Sequence, residues 1–159
     1  MCSSDLAERS KTLSSRRLYR EPMLAALPAS RKVRTKRVRI ADLANEPFVL
    51  YHRDGASGLF DTIVGMCNDA GFPPRVEYEA DRVQTVLSLV EAEEGVSIVP
   101  ASVTNLWSNG VRFYRLEPDD VRMELVVAWK KDRPSAVVRS FLDLVNANAS
   151  QIQKKAERA

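Results

Sequence analysis

One histidine and two cysteines, in a chain of 159 residues, leave little material for metal binding or nucleophilic catalysis. His52 stands alone, so a catalytic triad or a histidine base would have to be built on it. No GxSxG surrounds a serine. Cys2 and Cys67 with one histidine cannot make a standard zinc site, and no metal ligands or cofactor are assigned. Two cysteines also give no disulfide framework, which fits a reducing cytoplasm. There is no apolar run of about 18 residues to span a membrane. Met1–Leu13 has no apolar h-region, so it does not read as a secretory signal. Walker and GxGxxG phosphate loops are absent too.

What remains is an ordinary globular composition, 45% apolar and 28% charged, long enough for one domain with a core. The net charge of +3 hides an asymmetry. Met1–Arg39 holds 11 Lys+Arg against 3 Asp+Glu, while the rest holds 13 against 18. Residues 1–17 are polar, Ser-rich and basic, without periodicity, and read as a disordered leader.

The stretch Glu77–Ser102 is the most regular. Val83, Val86, Leu87 and Val90 repeat at helical spacing behind Asp81, a capping residue with Gln84 in the capping-box place. Gly95 reads as the glycine that stops this helix, and Val96–Val99 as a β-branched strand ended by Pro100. A second helix is expected over Gly58–Ala70, with Leu59, Ile63, Met66, Cys67 and Ala70 on one side and Gly71 as its stop. Strands are expected at Met23–Leu27, Phe48–Tyr51, Arg75–Glu79 and Val111–Leu116, and at Met123–Lys130 as an apolar strand covered on both faces. Ile40–Asn45 and Ala101–Leu106 read as short helical turns. Pro134 opens a last helix whose stripe is Val137, Val138, Phe141, Leu142 and Val145, and after Asn146 the chain turns polar and is expected to fray.

Alternating strands and helices imply an α/β fold with a mostly parallel sheet flanked by helices, whose ligands bind at strand carboxyl ends. Three loops leave those ends: His52–Gly58, Ala80–Arg82 and Pro100–Ser102. The first is the best candidate site. Gly55 and Gly58 permit close backbone approach, and Ser57 can cap a helix or bond a carboxylate. The amides of Gly58 and Leu59 face a ligand across a helix N-terminus, and Arg53 adds a donor fork. Glu91, Glu93 and Glu94 read as a solvated face, and Trp107 and Trp129 as packing residues.

Several blocks together resemble the effector-binding half of LysR-type transcriptional regulators. They are Arg20-Glu21-Pro22 before an apolar strand and Leu27-Pro28-Ala29, Ile40–Leu43 with Glu46–Tyr51, Gln84–Val90, and Gly95–Ser102. The match runs from about Leu18 to Val145 and is nearest the subgroup sensing muconate-like dicarboxylates. The resemblance implies a type 2 periplasmic-binding-protein-like fold. Residues 18–147 would form a partial effector-binding domain, with the second subdomain largely complete and the first mostly missing, and 148–159 a polar tail. It implies a carboxylate effector held at Ser57, Gly58 and Leu59, to which the loop reading adds Arg53 and Pro100. Crossing hinge strands are expected at Met23–Leu27 and Leu125–Trp129, with Leu24, Ala26, Val127 and Trp129 at the hinge. His52 stands where relatives often carry proline. The expected partners are a small-molecule effector and further copies of the chain, in the cytoplasm, with DNA contacted only through an N-terminal winged helix missing from this chain. The missing half reads as a truncated gene. A free-standing solute-binding module of the same fold is the alternative, and an enzyme using His52 as a base is the least supported reading.

Overall fold

A computed structural model describes residues 12–33, 35–106, 109–131 and 135–158. The elements run β1 (Leu13–Pro28), β2 (Arg37–Arg39), a 3-10 turn (Ile40–Leu43), β3 (Pro47–Tyr51), α1 (Arg53–Asp69) and β4 (Arg75–Ala80). They continue with α2 (Val83–Glu91), β5 (Ser97–Pro100), a second 3-10 turn (Ala101–Leu106), β6 (Val111–Glu117), β7 (Arg122–Lys130) and α3 (Ala136–Arg158). The leader expected over residues 1–17 gives up Leu13–Arg17 to β1, while residues 1–11, like Trp107 and Pro134, lie outside the described residues.

β1 organises the molecule because its two halves have different neighbours. Leu24–Pro28 pairs antiparallel with β6, and Met23–Ala26 with β5. Flanked on both edges and covered on both faces, Met23–Leu27 is buried throughout, so its run is continuously apolar rather than alternating. Leu13–Pro22 instead pairs antiparallel with β7, with a register shift between Arg17 and Tyr19. This ladder is an open ribbon, which tolerates the polar sequence LSSRRLYRE because its side chains meet water.

The α/β class stands, but the sheet is mixed rather than mostly parallel. β1 runs antiparallel to β5, β6 and β7, while β2–β6 and β3–β4 are parallel. A single parallel bridge, Phe48 to Val96, joins β3 to the approach of β5. Val49 N donates to Val96 O at 2.9 Å and Val96 N to Pro47 O at 2.8 Å. The resulting order is β4-β3-β5-β1-β6-β2, so β3 lies between β4 and β5.

The core fills the space between this sheet and its helices. Ile63, Met66 and Cys67 of α1 and Val86, Leu87 and Val90 of α2 are buried against Phe48, Leu50 and Ile98. α1 ends as the sequence implies. Ala70 is its C-cap, and Gly71 follows at φ 94°. α2 differs at both ends. Its N-cap is Arg82, with no side-chain capping bond, so Asp81 and Gln84 form no capping box. The left-handed residue after it is Glu93, at φ 66°, and not Gly95. Glu93 N donates to Val90 O at 3.0 Å and Glu94 N to Leu89 O at 3.1 Å, the Schellman pattern. Gly95 serves a different need. A Cβ there would stand 2.5 Å from Pro47 O, so only glycine lets the chain pass β3 this closely.

β7 is the second departure. It was expected to be covered on both faces, yet none of its residues is buried, and Leu125 is 46% exposed. Its only described strand partner is the polar half of β1. α3 packs on β1 and buries Val145, but Val137, Phe141 and Leu144 remain 78%, 47% and 62% exposed. The helix does not fray after Asn146. It continues to Arg158, and the Gln153 amide binds the edge of β1, accepting from Arg20 N at 3.0 Å and donating to Arg20 O at 3.1 Å. The segment expected as a polar tail is therefore part of the fold.

Candidate functional site at the strand carboxyl ends

Three strand ends meet at one level. Tyr51 of β3 pairs with Ala80 of β4, and His52 N donates to Ala80 O at 2.9 Å. Phe48 bridges Val96, so β5 runs parallel beside β3, and Pro100 closes it on the same carboxyl-end side of the sheet. Asp81 follows β4 and Pro100 closes β5, and these two strands flank β3, each step about 5 Å wide.

The start of α1 is more structured than a plain loop. His52 is the N-cap, and its Nδ1 accepts from Asp54 N at 3.4 Å. In neutral histidine this puts the ring proton on Nε2, which faces Glu79 Oε2 at 3.7 Å. His52 is therefore a capping residue, and among the described residues its ring nitrogens face Asp54 and Glu79. Ala56, at φ −145° and ψ 49°, breaks the helix after one turn, so it restarts at Ser57, Gly58 and Leu59. The first turn of a helix carries amide N–H groups without intrahelical acceptors and a partial positive charge. The Thr62 hydroxyl donates to Gly58 O at 2.7 Å and steadies this turn.

The other predicted residues divide. Ser57 is exposed, Gly58, Leu59 and Pro100 are half-buried, and Leu59 packs against the core. Arg53 does not offer a free fork, because its Nε donates to Asp61 Oδ1 at 3.0 Å. Asp54 and Glu79 flank His52. Beside His52 and Arg53, therefore, the charges add nothing to the helix dipole as an anion attractor. Leu24 and Ala26 were expected at crossing hinge strands. They lie inside the sheet, opposite Val99 and Arg115 and opposite Ser97 and Phe113. The partners of Leu125–Trp129 in the ladder are Ser14–Tyr19, with Val127 opposite Arg16 and Trp129 opposite Ser14. The ladder forms from the polar half of β1 because the apolar half is already paired on both edges.

The LysR substrate binding domain family matches residues 4–150. The chain belongs to this family. It is 27% identical over 134 residues to the HTH-type transcriptional regulator AlsR of Bacillus subtilis strain 168, covering 84% of the chain and 44% of AlsR. It is 33% identical over 138 residues to IlvR of Caulobacter vibrioides, an HTH-type transcriptional regulator, covering 87% of the chain and 46% of IlvR. The chain thus spans slightly less than half the length of these two regulators. Among solved structures, full-length CbnR complexed with its target DNA superposes with a TM-score of 0.79 at 24% identity, over 89% of the chain and 50% of CbnR. The BenM effector binding domain with its effector benzoate superposes at 0.77 and 21% identity, over 95% of the chain and 77% of that domain. These likenesses carry the fold. The strand ends described above are those of a LysR-type effector-binding domain.

Sequence reasoning missed a second group of side chains around Pro22 in this LysR-type domain. Arg20, Arg115 and Arg122 line a cavity of about 420 Å³ with Pro22 and Gln153. They come from three strands and meet only through the antiparallel register, so no local motif announces them. The one readable signal was the basic excess before Ile40, which contributes Arg20 and the neighbouring Lys36.

Proposed function

We propose that this domain senses a small organic carboxylate at the strand carboxyl ends, with the anion against the restarted first turn of α1 at Ser57, Gly58 and Leu59. One observation carries the reading. The break at Ala56 directs a helix N-terminus at the level where three strands end. Ser57 supplies the side-chain hydroxyl, and Pro100 the neighbouring wall. Binding would shift a population between two arrangements of a larger regulator, whose other parts contact DNA and whose copies associate in the cytoplasm. The relatives that match are transcriptional regulators, and one neighbour holds benzoate as its effector, which favours a sensing over a catalytic role.

Titrating a panel of mono- and dicarboxylates into the ¹⁵N-labelled chain tests this. A saturable shift of the Ser57, Gly58 and Leu59 amides is expected with at least one member, weakened when Ser57 becomes Ala. A folded chain whose three amides ignore every carboxylate would sink the proposal.

A further inference from the structure

Strand register puts an unusual set of side chains on one face of the sheet. Along β1, Arg20, Pro22 and Leu24 alternate onto the same side. Directly paired residues share a face, so Arg115 opposite Leu24, Phe113 opposite Ala26, and Arg122 opposite Pro22 join them. Two cavities open here and share Pro22 and Arg115 as a common wall. The larger, about 570 Å³, is lined by Leu24, Val33 and Phe113 on its apolar side and by Lys36 and Arg115 on its cationic side, with Tyr114 also at its edge. Thr35 and Thr104 complete its polar lining. The smaller holds Arg20, Arg122 and Gln153.

Charge here is unbalanced. Asp119 serves both arginines on its side, at 3.6 Å from Arg115 and 2.7 Å from Arg122. Glu124 serves Arg20 and Arg17. Two carboxylates thus face four arginines, and Lys36 has no ion pair among the described residues. An aromatic and aliphatic wall beside excess guanidinium and ammonium charge fits one class of ligand, a ring or branched chain ending in a carboxylate. The volume lies within the range of small-molecule sites.

We propose that this face is a second ligand site, taking an arylalkyl carboxylate with its ring on Leu24 and Phe113 and its carboxylate toward Arg115 and Lys36. It is distinct from the site at α1. β5 and β1 separate β3 from β6, about 14 Å at ordinary strand spacing. The site also has a mechanical position. Pro22 is where β1 leaves the β7 ladder and enters the sheet. A carboxylate held by Arg115 from the sheet, with Arg20 and Arg122 of the ladder next to it, would fix the angle between the two. The second site would therefore set how the sheet and the β1–β7 ribbon are oriented, whatever occupies the first.

The probe is 3-phenylpropionate, added to the full ¹⁵N-labelled chain, with 3-phenylpropionamide as its uncharged isostere and acetate as the anion without a ring. Saturable shifts are expected at Phe113, Tyr114 and Arg115, with the isostere and acetate each at least tenfold weaker. The double variant Lys36→Gln, Arg115→Gln should weaken 3-phenylpropionate at least tenfold while the melting temperature holds. If that variant does not fold, the isostere comparison on the unaltered chain decides. Equal binding of acid and amide, or shifts confined to Ser57–Leu59, would overturn the second site and leave the first standing. Shifts at Phe113–Arg115 with silence at Ser57–Leu59 would support the second site and leave the first to its own carboxylate panel.

Discussion

The two halves of β1 are neighbours on one strand and live in different surroundings. Glu21–Leu27 is buried at every position, and Leu13–Arg20 at none. The apolar half has strands on both edges, whereas the polar half has β7 on one edge and only the Gln153 amide described on the other. The same contrast extends outward. β3, α1 and α2 share a closed core, while β7 and α3 carry, among the described side chains, one buried residue, Val145. Burial therefore follows what flanks a segment rather than how apolar the segment is. β7 reads MELVVAW and stays wet, while Ala25 and Ala26 are dry.

That contrast breaks most visibly on truncation. Phe48 is fully buried and packs with Phe72 at a ring separation of 6.2 Å. Phe48→Ala is expected to cost about 3–5 kcal/mol in urea unfolding. Phe141→Ala, at a residue 47% exposed, should cost less than about 1 kcal/mol. Equal losses would show that the arm is covered. The exposed row Val137, Phe141 and Leu144 predicts self-association instead. Replacing all three with serine should turn a concentration-dependent sedimentation profile into that of a monomer, and a monomeric parent chain would count against it.

Alkaline pH should strike the closed half hardest. Burial pushes the Cys67 thiol from 9.0 up to about 12. Below pH 9 the thiol is protonated whether folded or unfolded, so it costs nothing. As pH rises the unfolded state ionises first, and stability falls between about pH 9 and 12, by about 1.4 kcal/mol per unit and about 4 kcal/mol over the window. Tyr51, also raised by burial, acts in the same direction. Urea midpoints from pH 8 to 11 should fall steeply, and less steeply in Cys67→Ala. An unchanged slope in that variant would remove Cys67 from the account.

Glycines test the contrast at single-atom scale. Gly95→Ala forces a Cβ to 2.5 Å from Pro47 O, beside the bond that joins β3 to Val96. A loss of about 1–3 kcal/mol is expected from thermal unfolding. Gly55→Ala meets nothing within 4 Å and should be neutral or gain about 0.5 kcal/mol. A tolerated Gly95→Ala would mean that β3 and Val96 can part without cost.

Periodicity made α1, α2 and the core face legible, because Ile63, Met66, Cys67, Val86, Leu87 and Val90 repeat at helical spacing and are buried as that spacing requires. The strands at Phe48–Tyr51 and up to Pro100 were legible from their short apolar runs. Three things were not. The ladder of Leu13–Pro22 with β7 is a long-range pairing of a polar segment, which no local pattern encodes. The cationic face at Arg115 exists only once register is known. The break at Ala56, and the pairing of Arg53 with Asp61 across it, are written in no part of HRDGAS.

The ends of α1 and α2 offer the finest version of the comparison, because one motif is built twice with different residues. After α1, Gly71 takes the left-handed place, with Gly71 N donating to Asn68 O at 2.9 Å and Phe72 N to Cys67 O at 3.1 Å. After α2 the same two bonds form around Glu93 at φ 66°, where a Cβ crowds the carbonyl oxygen. Relief of that crowding is worth about 1–2 kcal/mol, and the added freedom of glycine in the unfolded chain returns part of it. Glu93→Gly is therefore expected to raise stability by about 0.5–1 kcal/mol, a rise of a few degrees in melting temperature. Gly71→Ala should lose about 1 kcal/mol by the same argument run backwards. If Glu93→Gly destabilises instead, the left-handed place after α2 is held by something other than the Schellman bonds, and the two helix ends are not equivalent.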